Sequence, residues 1–476
     1  MPGPTAPSYV APASQRQLFG HPFGLWTLSL TEMWERFSYY GMRALLVYYM
    51  TKYLLLTGQV EHVAGFAGFR AGLEWAFGPM SVQQLSSQIY GLYTGFVYLT
   101  PIFGGWLADR FWGQRRTVIV GGVIMAIGEF VLMVPSLFLP GLLLLIVGNG
   151  FFKPNISTQV GGLYPPGDPR RDRAFNWFYV GVNVGAALAP FVCGTLGELY
   201  GWQYGFGAAG VGMLGGLVQY WYGQKYLAPD NVMKRAAGPT APVAHAPFTR
   251  SEWSRVLALG VLCLLNISFW GVYEQQGNTL ALWADSNSDR HLFAFLGLGW
   301  EMPATWFQSV NSIFIAGFTP FVNVLWTRQA RAGSEPNSVA KMAIGCLVLG
   351  LSFVFMMLPA RVVDAGQLAS MWWLIASTAI LTVGELYLSP VGLSLVTKIS
   401  PPRIVSMMMG FWYLSSFFGN YMSGYLGTYW ETMTKGAFFL MLAAISIVTG
   451  LLMVALYAPL KRAIGDENQA HGQPAG

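Results

Sequence analysis

The sequence predicts an all-α polytopic membrane protein with twelve transmembrane helices arranged in two six-helix bundles. Three observations predict this fold class: an apolar composition, twelve apolar stretches of spanning length, and a biased distribution of cations. Hydrophobic residues make up 54% of the 476 residues and charged residues only 10%, whereas a soluble domain carries about 25% charged residues. This composition excludes an ordinary soluble globular protein and a disordered or collagen-like chain.

Each apolar stretch has about the length that a spanning helix requires, roughly 20 residues. The twelve stretches are 23–54, 84–108, 115–135, 138–161, 174–197, 204–225, 254–281, 306–326, 339–359, 370–398, 405–429 and 436–459. Two further segments, 75–79 and 293–300, are too short to span and are predicted to be interfacial loop pieces. The three cysteines lie in apolar stretches without metal-binding spacing, so neither a disulfide scaffold nor a zinc site is expected.

The positions of Lys and Arg predict the orientation, because cytoplasmic loops of membrane proteins carry an excess of both. With the N-terminus inside, nineteen of the 27 Lys and Arg residues fall in cytoplasmic segments and five in outside segments. We therefore expect a multi-pass protein of the cell membrane with both termini in the cytoplasm. The cations are dispersed over seven segments, so the net charge of +6 reflects topology. Nucleic acid is not an expected partner, and the lipid bilayer is.

A polar, Pro-rich linker divides the apolar stretches into two sets of six. The predicted domains are a cytoplasmic tail (1–20), an N-terminal bundle (21–227), a cytoplasmic linker (228–252), a C-terminal bundle (253–460) and a second cytoplasmic tail (461–476). Two bundles joined in this way suggest a substrate site between them near the membrane midplane. No convincing sequence repeat relates the two halves, so their symmetry is an inference.

Ionisable residues inside the apolar stretches are the strongest functional signal, because each costs at least about 2.5–3.5 kcal/mol at a helix centre. They are Glu32, Glu35, Arg36 and Arg43 in the first stretch, Glu129 in the third, Lys153 in the fourth, Glu274 in the seventh and Glu385 in the tenth. The helical period places Glu32 and Arg36 on one stripe as a favourable i,i+4 pair. A purely structural salt-bridge spine is the alternative interpretation of this stripe. Glu129, with no buried cation assigned to it, is expected to be a packing or water-contact residue.

The buried charges are distributed asymmetrically between the two halves. The cations Arg36, Arg43 and Lys153 lie in the N-terminal half, and the carboxylates Glu274 and Glu385 lie in the C-terminal half. The complementary ligand is a zwitterion such as a short peptide, whose carboxylate suits the planar fork of an arginine. Together with Glu32 and Glu35 the carboxylates outnumber the cations by one, and a carboxylate without a cation can hold a proton.

A single coupled proton supplies enough energy for concentrative transport. A potential of about 100 mV supplies roughly 2.3 kcal/mol per charge, and one pH unit adds about 1.4 kcal/mol. Because 1.4 kcal/mol is about tenfold, one proton supports several-hundred-fold accumulation.

One sequence run carries a specific family resemblance. Residues 32–41 read Glu-Met-Trp-Glu-Arg-Phe-Ser-Tyr-Tyr-Gly, which resembles the Glu-x-x-Glu-Arg-Phe-x-Tyr-Tyr-Gly motif of the proton-coupled oligopeptide transporters, the POT/PTR family of the major facilitator superfamily. Residues 104–116, 178–185, 269–277 and 384–394 resemble further segments of that family or superfamily. The resemblance implies a major facilitator fold. Many bacterial relatives insert two extra helices between the bundles, and the linker here has no room for them.

The resemblance also implies a function, namely import of di- and tripeptides with inward-moving protons by alternating access. It suggests that Arg36 and Lys153 hold the peptide carboxylate, that Glu385, Asn183 and Asn311 hold the amino terminus, and that Tyr39, Tyr40 and Tyr98 line the pocket, with Trp412 and Ser416 as weaker candidates. The proton-responsive network would be Glu32, Glu35, Arg43 and Glu274. No catalytic residue, metal or cofactor is expected, since protons are the coupling ion, and the transporter is expected to be monomeric.

Three other classes remain as alternatives. An embedded enzyme is not expected, because all five histidines lie in loops or at chain ends and no hydrolase or metalloprotease motif is present. A receptor with a transporter fold is a second alternative. The third is a major facilitator transporter of a non-peptide zwitterion or of an anion.

Overall fold

The computed structural model describes residues 17–165, 168, 170–228, 248–292, 299–401 and 404–464. Within these residues, twelve helices have nineteen or more residues: α1 (Phe23–Tyr49), α3 (Val82–Leu107), α4 (Gln114–Leu132), α5 (Phe138–Gly162), α6 (Arg170–Ala189), α8 (Trp202–Gly223), α9 (Arg250–Tyr273), α11 (Phe307–Arg331), α12 (Ser338–Asp364), α13 (Met371–Ile399), α14 (Val405–Gly427) and α15 (Lys435–Ala455). Seven helical segments in this part of the chain are long and apolar enough to span a membrane. The all-α membrane fold class is confirmed, and the count of twelve crossings stays a prediction.

Four shorter helices connect or extend the long ones: α2 (Phe66–Phe77), α7 (Thr195–Tyr200), α10 (Thr279–Ser286) and α16 (Tyr457–Ile464). The prediction of an interfacial loop at 75–79 was wrong in part, because Trp75 to Phe77 form the last turn of α2. Gly65 and Gly78, both at positive φ (77° and 80°), begin and end this helix, and its twelve residues are too few to span. Most of the other loop piece, 293–298, lies outside the described residues.

Short strands and helices also occur at the ends of the described chain. Strands β1 (Gln17–Leu18) and β2 (His21–Pro22) form an antiparallel hairpin within the segment predicted as a tail, and Phe19 and Gly20 turn between them at positive φ. At the other end, residues 461–464 belong to α16. The remaining predicted tail residues and linker residues 229–247 lie outside the described part.

The chain divides into two compact units that do not coincide with the predicted bundles. Unit 1 comprises residues 1–42 and 100–235, and unit 2 comprises residues 43–99 and 236–476. The C-terminal part of α1, all of α2 and most of α3 therefore group with the later helices. The domain boundaries that the position of the linker predicts stay a prediction.

Close backbone approach holds unit 1 together. Helices α4 and α5 pack along a row of small residues, where a side chain at Gly121 would meet the backbone of Gly148 and Phe152. The end of α3 approaches α5 in the same way at Gly104, where an added Cβ would collide with the carbonyl of Gly150. Small residues allow dispersion contacts between helices, which replace the hydrophobic driving force that is missing inside a bilayer.

Unit 2 contains a broken helix that is central to its site. Helix α9 ends at Tyr273, a 3₁₀ turn follows from Glu274 to Gly277, and α10 restarts after Asn278, whose φ and ψ are −113° and −94°. Side-chain amides satisfy polar groups at the break: Gln275 donates to the Ser423 carbonyl at 2.9 Å, and Asn278 accepts from Ser87 at 2.9 Å. Irregular backbone at membrane depth is tolerated only with such protein partners.

Candidate functional site

The first group of buried charges lies on α1 in unit 1 and consists of Glu32, Glu35 and Arg36, here called the α1 carboxylate cluster. All three are nearly inaccessible, with exposed fractions of 3%, 0% and 4%. The Arg36 guanidinium donates twice to Glu35, through Nη2 at 2.6 Å and through Nε. Its Nε also lies 3.3 Å from Glu32 Oε1. One guanidinium thus serves two carboxylates, and its stronger partner is the neighbour Glu35 rather than the predicted i,i+4 partner.

Helix α5 supplies two polar side chains to this cluster. Asn149 donates to Glu35 Oε1 at 3.0 Å, and Lys153, half-buried, interacts electrostatically with Glu32. Glu32 Oε2 is buried and has no hydrogen-bond partner among the described residues. With Lys153 included, two carboxylates of the cluster face two cations, and Glu32 Oε2 remains an unsatisfied acceptor among the described residues.

Two aromatic side chains continue the same face of α1. Tyr39 lies under the guanidinium of Arg36, 5.1 Å from its ring centroid, and contacts the ring of Tyr40 edge-on at 5.2 Å. On the opposite side, Ser38 donates to Glu129 of α4 at 3.1 Å, and Glu129 is fully buried. This contact is consistent with the packing role expected for Glu129.

The second group of buried charges, the Arg43 triad, lies in unit 2 and consists of Arg43, Tyr90 and Glu274. Arg43 Nη2 lies 2.5 Å from Glu274 Oε2. The Tyr90 hydroxyl accepts from Arg43 at 2.7 and 2.9 Å and lies 3.3 Å from the same carboxylate. Glu274 and Tyr90 are 3% and 0% exposed. The triad joins α1, α3 and the break after α9 through one guanidinium, one phenol and one carboxylate.

The third polar group, which also lies in unit 2, surrounds Glu385 on α13. Asn311 on α11 donates to Glu385 Oε2 at 3.1 Å and to Thr382 Oγ1 at 3.0 Å. The Tyr273 hydroxyl donates to Asn311 at 3.4 Å and is within reach of Glu385. This carboxylate is thus held by neutral donors, and it is half-buried rather than enclosed.

The remaining predicted residues fall in one unit or the other. Asn183 is half-buried in unit 1 and donates to the Tyr179 carbonyl of its own helix at 2.9 Å. Tyr98 is half-buried on α3 in unit 2. Trp412 is 5% exposed and packs against Gly392, and the buried Ser416 donates to the Trp412 carbonyl at 3.4 Å.

Sequence reasoning missed the neutral partners of these charges. Asn149, Tyr90, Tyr273 and Thr382 all contact a predicted residue, yet none was proposed. Their only signal in the sequence was a polar group within an apolar stretch, which many packing residues share.

Comparison with known proteins identifies the family. The family model described as the POT family matches residues 115–244 and 243–444 of the chain. The chain belongs to the POT family. It is therefore a multi-pass membrane transporter and not an enzyme, as the motif at 32–41 predicted.

Relatives and solved structures agree with this assignment. The chain is 35% identical to "Uncharacterized transporter YclF" of Bacillus subtilis (strain 168), with 96% of this chain and 98% of that protein covered. It is 32% identical to "Di-/tripeptide transporter" of Lactococcus lactis subsp. cremoris, with 95% and 98% covered.

A crystal structure of a peptide transporter POT in complex with sulfate matches with a TM-score of 0.80 at 32% identity, covering 94% of this chain and 97% of that one. A POT family transporter in complex with 5-aminolevulinic acid matches with a TM-score of 0.78 at 29% identity, covering 94% and 98%.

Proposed function

We propose that this protein imports di- and tripeptides together with protons by alternating access, as a monomer in the cell membrane with both termini in the cytoplasm. The family and a relative named as a di-/tripeptide transporter support the substrate class. The proposal rests above all on one observation, the ion network in which Arg36 and Lys153 meet Glu32 and Glu35. A chain that needed only a stable helix would bury leucine at these positions.

The α1 carboxylate cluster offers a reason for coupling substrate to protons. With Lys153 it contains two carboxylates and two cations, so its formal charge is balanced. A peptide carboxylate that binds Arg36 and Lys153 adds one negative charge. Uptake of a proton by Glu32 or Glu35 restores the balance and leaves a cation available to the substrate. In this proposal the proton and the peptide carboxylate therefore bind together.

The groups in unit 2, in contrast, carry a net negative formal charge. Glu274 and Glu385 carry two negative charges against the single positive charge of Arg43. A peptide ammonium group that binds Glu385, with Asn311 and Asn183 as further ligands, compensates the remaining charge. We propose that Tyr39, Tyr40, Tyr98, Trp412 and Ser416 line the pocket, and that the Arg43–Glu274 pair opens when Glu274 takes up a proton.

Transport into proteoliposomes tests the function. We expect labelled Ala-Ala to accumulate when the outside is more acidic than the lumen, and to equilibrate without accumulation when the gradient is collapsed. Uptake that ignores the proton gradient would contradict the coupling, and failure of unlabelled dipeptides to compete would contradict the substrate class.

Blocked peptides separate the two ends of the ligand. Glu385→Gln should weaken peptides with a free amino terminus about tenfold or more, since hydrogen bonds to charged groups contribute about 1.5–3 kcal/mol, and it should change N-acetylated peptides little. The matched control is Glu301→Gln, which neutralises a half-exposed carboxylate paired with Arg290. Equal losses for free and acetylated peptides would remove Glu385 from this role.

A second candidate is transport of a non-peptide zwitterion. The observation that favours it is the structural similarity to a family member bound to 5-aminolevulinic acid. That ligand has an amino group and a carboxylate but no peptide bond. Competition of Ala-Ala uptake by such amino acids distinguishes the candidates: a stronger effect than that of unlabelled dipeptide would favour the second.

A further inference from the structure

Helices α9 and α14 form an apolar groove in unit 2, with a cavity volume of about 510 Å³. Its lining comes from one face of α9 between Val256 and Ile267 and one face of α14 between Met407 and Phe418, and this surface is here called the α9–α14 groove. Apart from one hydroxyl and one thiol these side chains are hydrocarbon or thioether. Several are strongly exposed, among them Leu257 (65%) and Leu264 (67%). The groove therefore faces the surroundings of the protein, which at this depth are lipid.

The length of the groove corresponds to one leaflet. Along α9 it runs from Val256 to Ile267, and the eleven steps between these residues, at a rise of 1.5 Å each, make about 16 Å. The hydrocarbon core of a bilayer is about 30 Å thick, so a leaflet contributes about 15 Å. An acyl chain that follows the groove would cross one leaflet, with its headgroup at the end where α9 begins.

A cation lies at the end of the groove where α9 begins. Arg255 directly precedes the groove, and its Nε is buried without a hydrogen-bond partner among the described residues. A buried donor without an acceptor is costly, because it has lost its water. The carboxylate of Glu252, one turn earlier, closes a capping box with Thr249. The structure thus provides an unsatisfied guanidinium donor beside a hydrocarbon groove.

Further cations surround this end of the helix. Arg250 is the first residue of α9 and is exposed. Helix α16, which packs against α9, carries Lys461 and Arg462 in its last turn and has no acidic residue. Basic residues beside spanning helices attract anionic headgroups, at about 1 kcal/mol per Lys or Arg near the membrane surface.

We propose that the α9–α14 groove binds one anionic phospholipid, with an acyl chain along the groove and the phosphate accepting a hydrogen bond from Arg255. A phosphate oxygen supplies the charge-assisted acceptor that Arg255 Nε lacks. The surrounding cations select against a choline headgroup, whose positive charge they repel. The occupant is thus a phosphatidylglycerol-type lipid rather than any lipid of the annulus.

The groove contains a position at which it can be blocked. A Cβ added at Gly260 would meet no atom within 4 Å, so a large side chain there would enter the groove without disturbing the packing. Gly317 on α11 has equally open space and is not part of the groove lining. Gly260→Trp and Gly317→Trp are therefore a matched pair of variants.

Native mass spectrometry of the full-length protein, released from micelles containing equal amounts of phosphatidylglycerol and phosphatidylcholine, tests the proposal. The wild type should retain one phosphatidylglycerol with at least about tenfold preference. Gly260→Trp should lose both lipids, whereas Arg255→Gln should keep a lipid and lose the preference. Gly317→Trp and Arg361→Gln, which removes an exposed cation at the last turn of α12, should behave as wild type.

Two results would overturn the proposal. One is equal retention of the two lipids by the wild type. The other is wild-type retention by both Gly260→Trp and Arg255→Gln. Because Arg255→Gln leaves the groove unfilled, it remains informative even if the tryptophan variant fails to fold.

Discussion

Helix α1 carries two arginines seven residues apart, and the ion pairs that they form differ in the number of acids. Arg36 serves two carboxylates, Glu35 closely and Glu32 at 3.3 Å. Among the described residues Arg43 is ion-paired with Glu274, with the Tyr90 hydroxyl bonded to both, and it interacts electrostatically with Glu385. The α1 carboxylate cluster can therefore lose one negative charge and keep an ion pair. The Arg43 triad contains one carboxylate, so neutralising Glu274 removes the ion pair within the triad.

The neutral partners reinforce this difference. In the α1 carboxylate cluster Asn149 donates to Glu35, the acid that Arg36 already binds closely, whereas Glu32 Oε2 has no hydrogen-bond partner in the described part of the chain. In the Arg43 triad the hydroxyl of Tyr90 contacts both ions. The α1 carboxylate cluster thus contains an acid that is weakly bonded, whereas the Arg43 triad connects three segments of the chain. We infer that the α1 carboxylate cluster is suited to exchanging a ligand and the Arg43 triad to holding these segments in one conformation.

The largest expected effect is on stability, from removal of either arginine. Arg36→Met would leave two carboxylates buried side by side, and breaking a buried ion pair costs about 3–5 kcal/mol, so we expect the upper end of that range. Arg43→Met should cost nearer the lower end, because Glu274 keeps the Tyr90 hydroxyl as a donor. Denaturant unfolding of the purified proteins measures both.

A double variant controls this comparison. Adding Glu35→Gln to Arg36→Met should recover part of the loss, since only one buried carboxylate would remain. A larger loss of stability in Arg43→Met than in Arg36→Met would contradict the expected difference between the two clusters.

The next effect separates the two acids of the α1 carboxylate cluster. Glu35→Gln should cost about 2–3 kcal/mol, because Glu35 accepts two charge-assisted bonds from Arg36 and one from Asn149. Glu32→Gln should cost about 1 kcal/mol or less, as its one contact with Arg36 is long. The measurement is the thermal unfolding temperature of the two single variants. Equal decreases would mean that Glu32 and Glu35 are bonded equally strongly, which would contradict the comparison.

A smaller effect tests the hydroxyl of the Arg43 triad. Tyr90→Phe should cost about 2 kcal/mol, because it removes charge-assisted bonds. Tyr48→Phe is the matched control in the same unit: Tyr48 is as deeply buried and its hydroxyl donates to the neutral Ala281 carbonyl at 2.9 Å, so its loss should be about 1 kcal/mol. If the two variants unfold alike, the phenol of Tyr90 is not a bridge between the ions.

The smallest expected effect is the loss of stability at acid pH that His21 causes. This residue belongs to unit 1 but lies outside the buried charge clusters. His21 precedes α1, is 5% exposed and bonds the Tyr164 hydroxyl at 2.8 Å. Burial, with Arg170 and Arg173 nearby, lowers the pKa of His21, and Asp168 opposes this. The unfolded chain therefore binds the proton more readily, so stability should fall as the pH drops through 6.5.

His21→Gln provides the comparison for this effect. Glutamine can keep a hydrogen bond to Tyr164 but does not titrate, so the variant should lose less stability than the wild type between pH 7.5 and 5.5. The measurement is the unfolding midpoint at each pH. Parallel curves for the two proteins would assign the acid sensitivity elsewhere, including to the α1 carboxylate cluster.

Much of the fold could be predicted from the sequence because helix length and apolar character are local properties. The stretch 23–54 corresponds to α1 and the π-helical turn Met50–Leu54 that follows it, and 138–161 corresponds to α5 within one residue. The break after Tyr273 was not predicted, because a polar run such as 274–278 near the end of the apolar stretch 254–281 is equally compatible with a continuous helix. Ser87 and Ser423, which are far away in the chain, supply hydrogen-bond partners at that break.

The sequence by itself determined which segments are helical, which ionisable groups they bury, and, through the run at 32–41, the family. Tertiary structure alone decided that Arg36 binds Glu35 more closely than Glu32, and that Asn149 and Tyr90 complete the two clusters. The physical reason is that the helical period fixes the direction of a side chain around its own axis. Rotamers and neighbouring helices determine which atom it reaches.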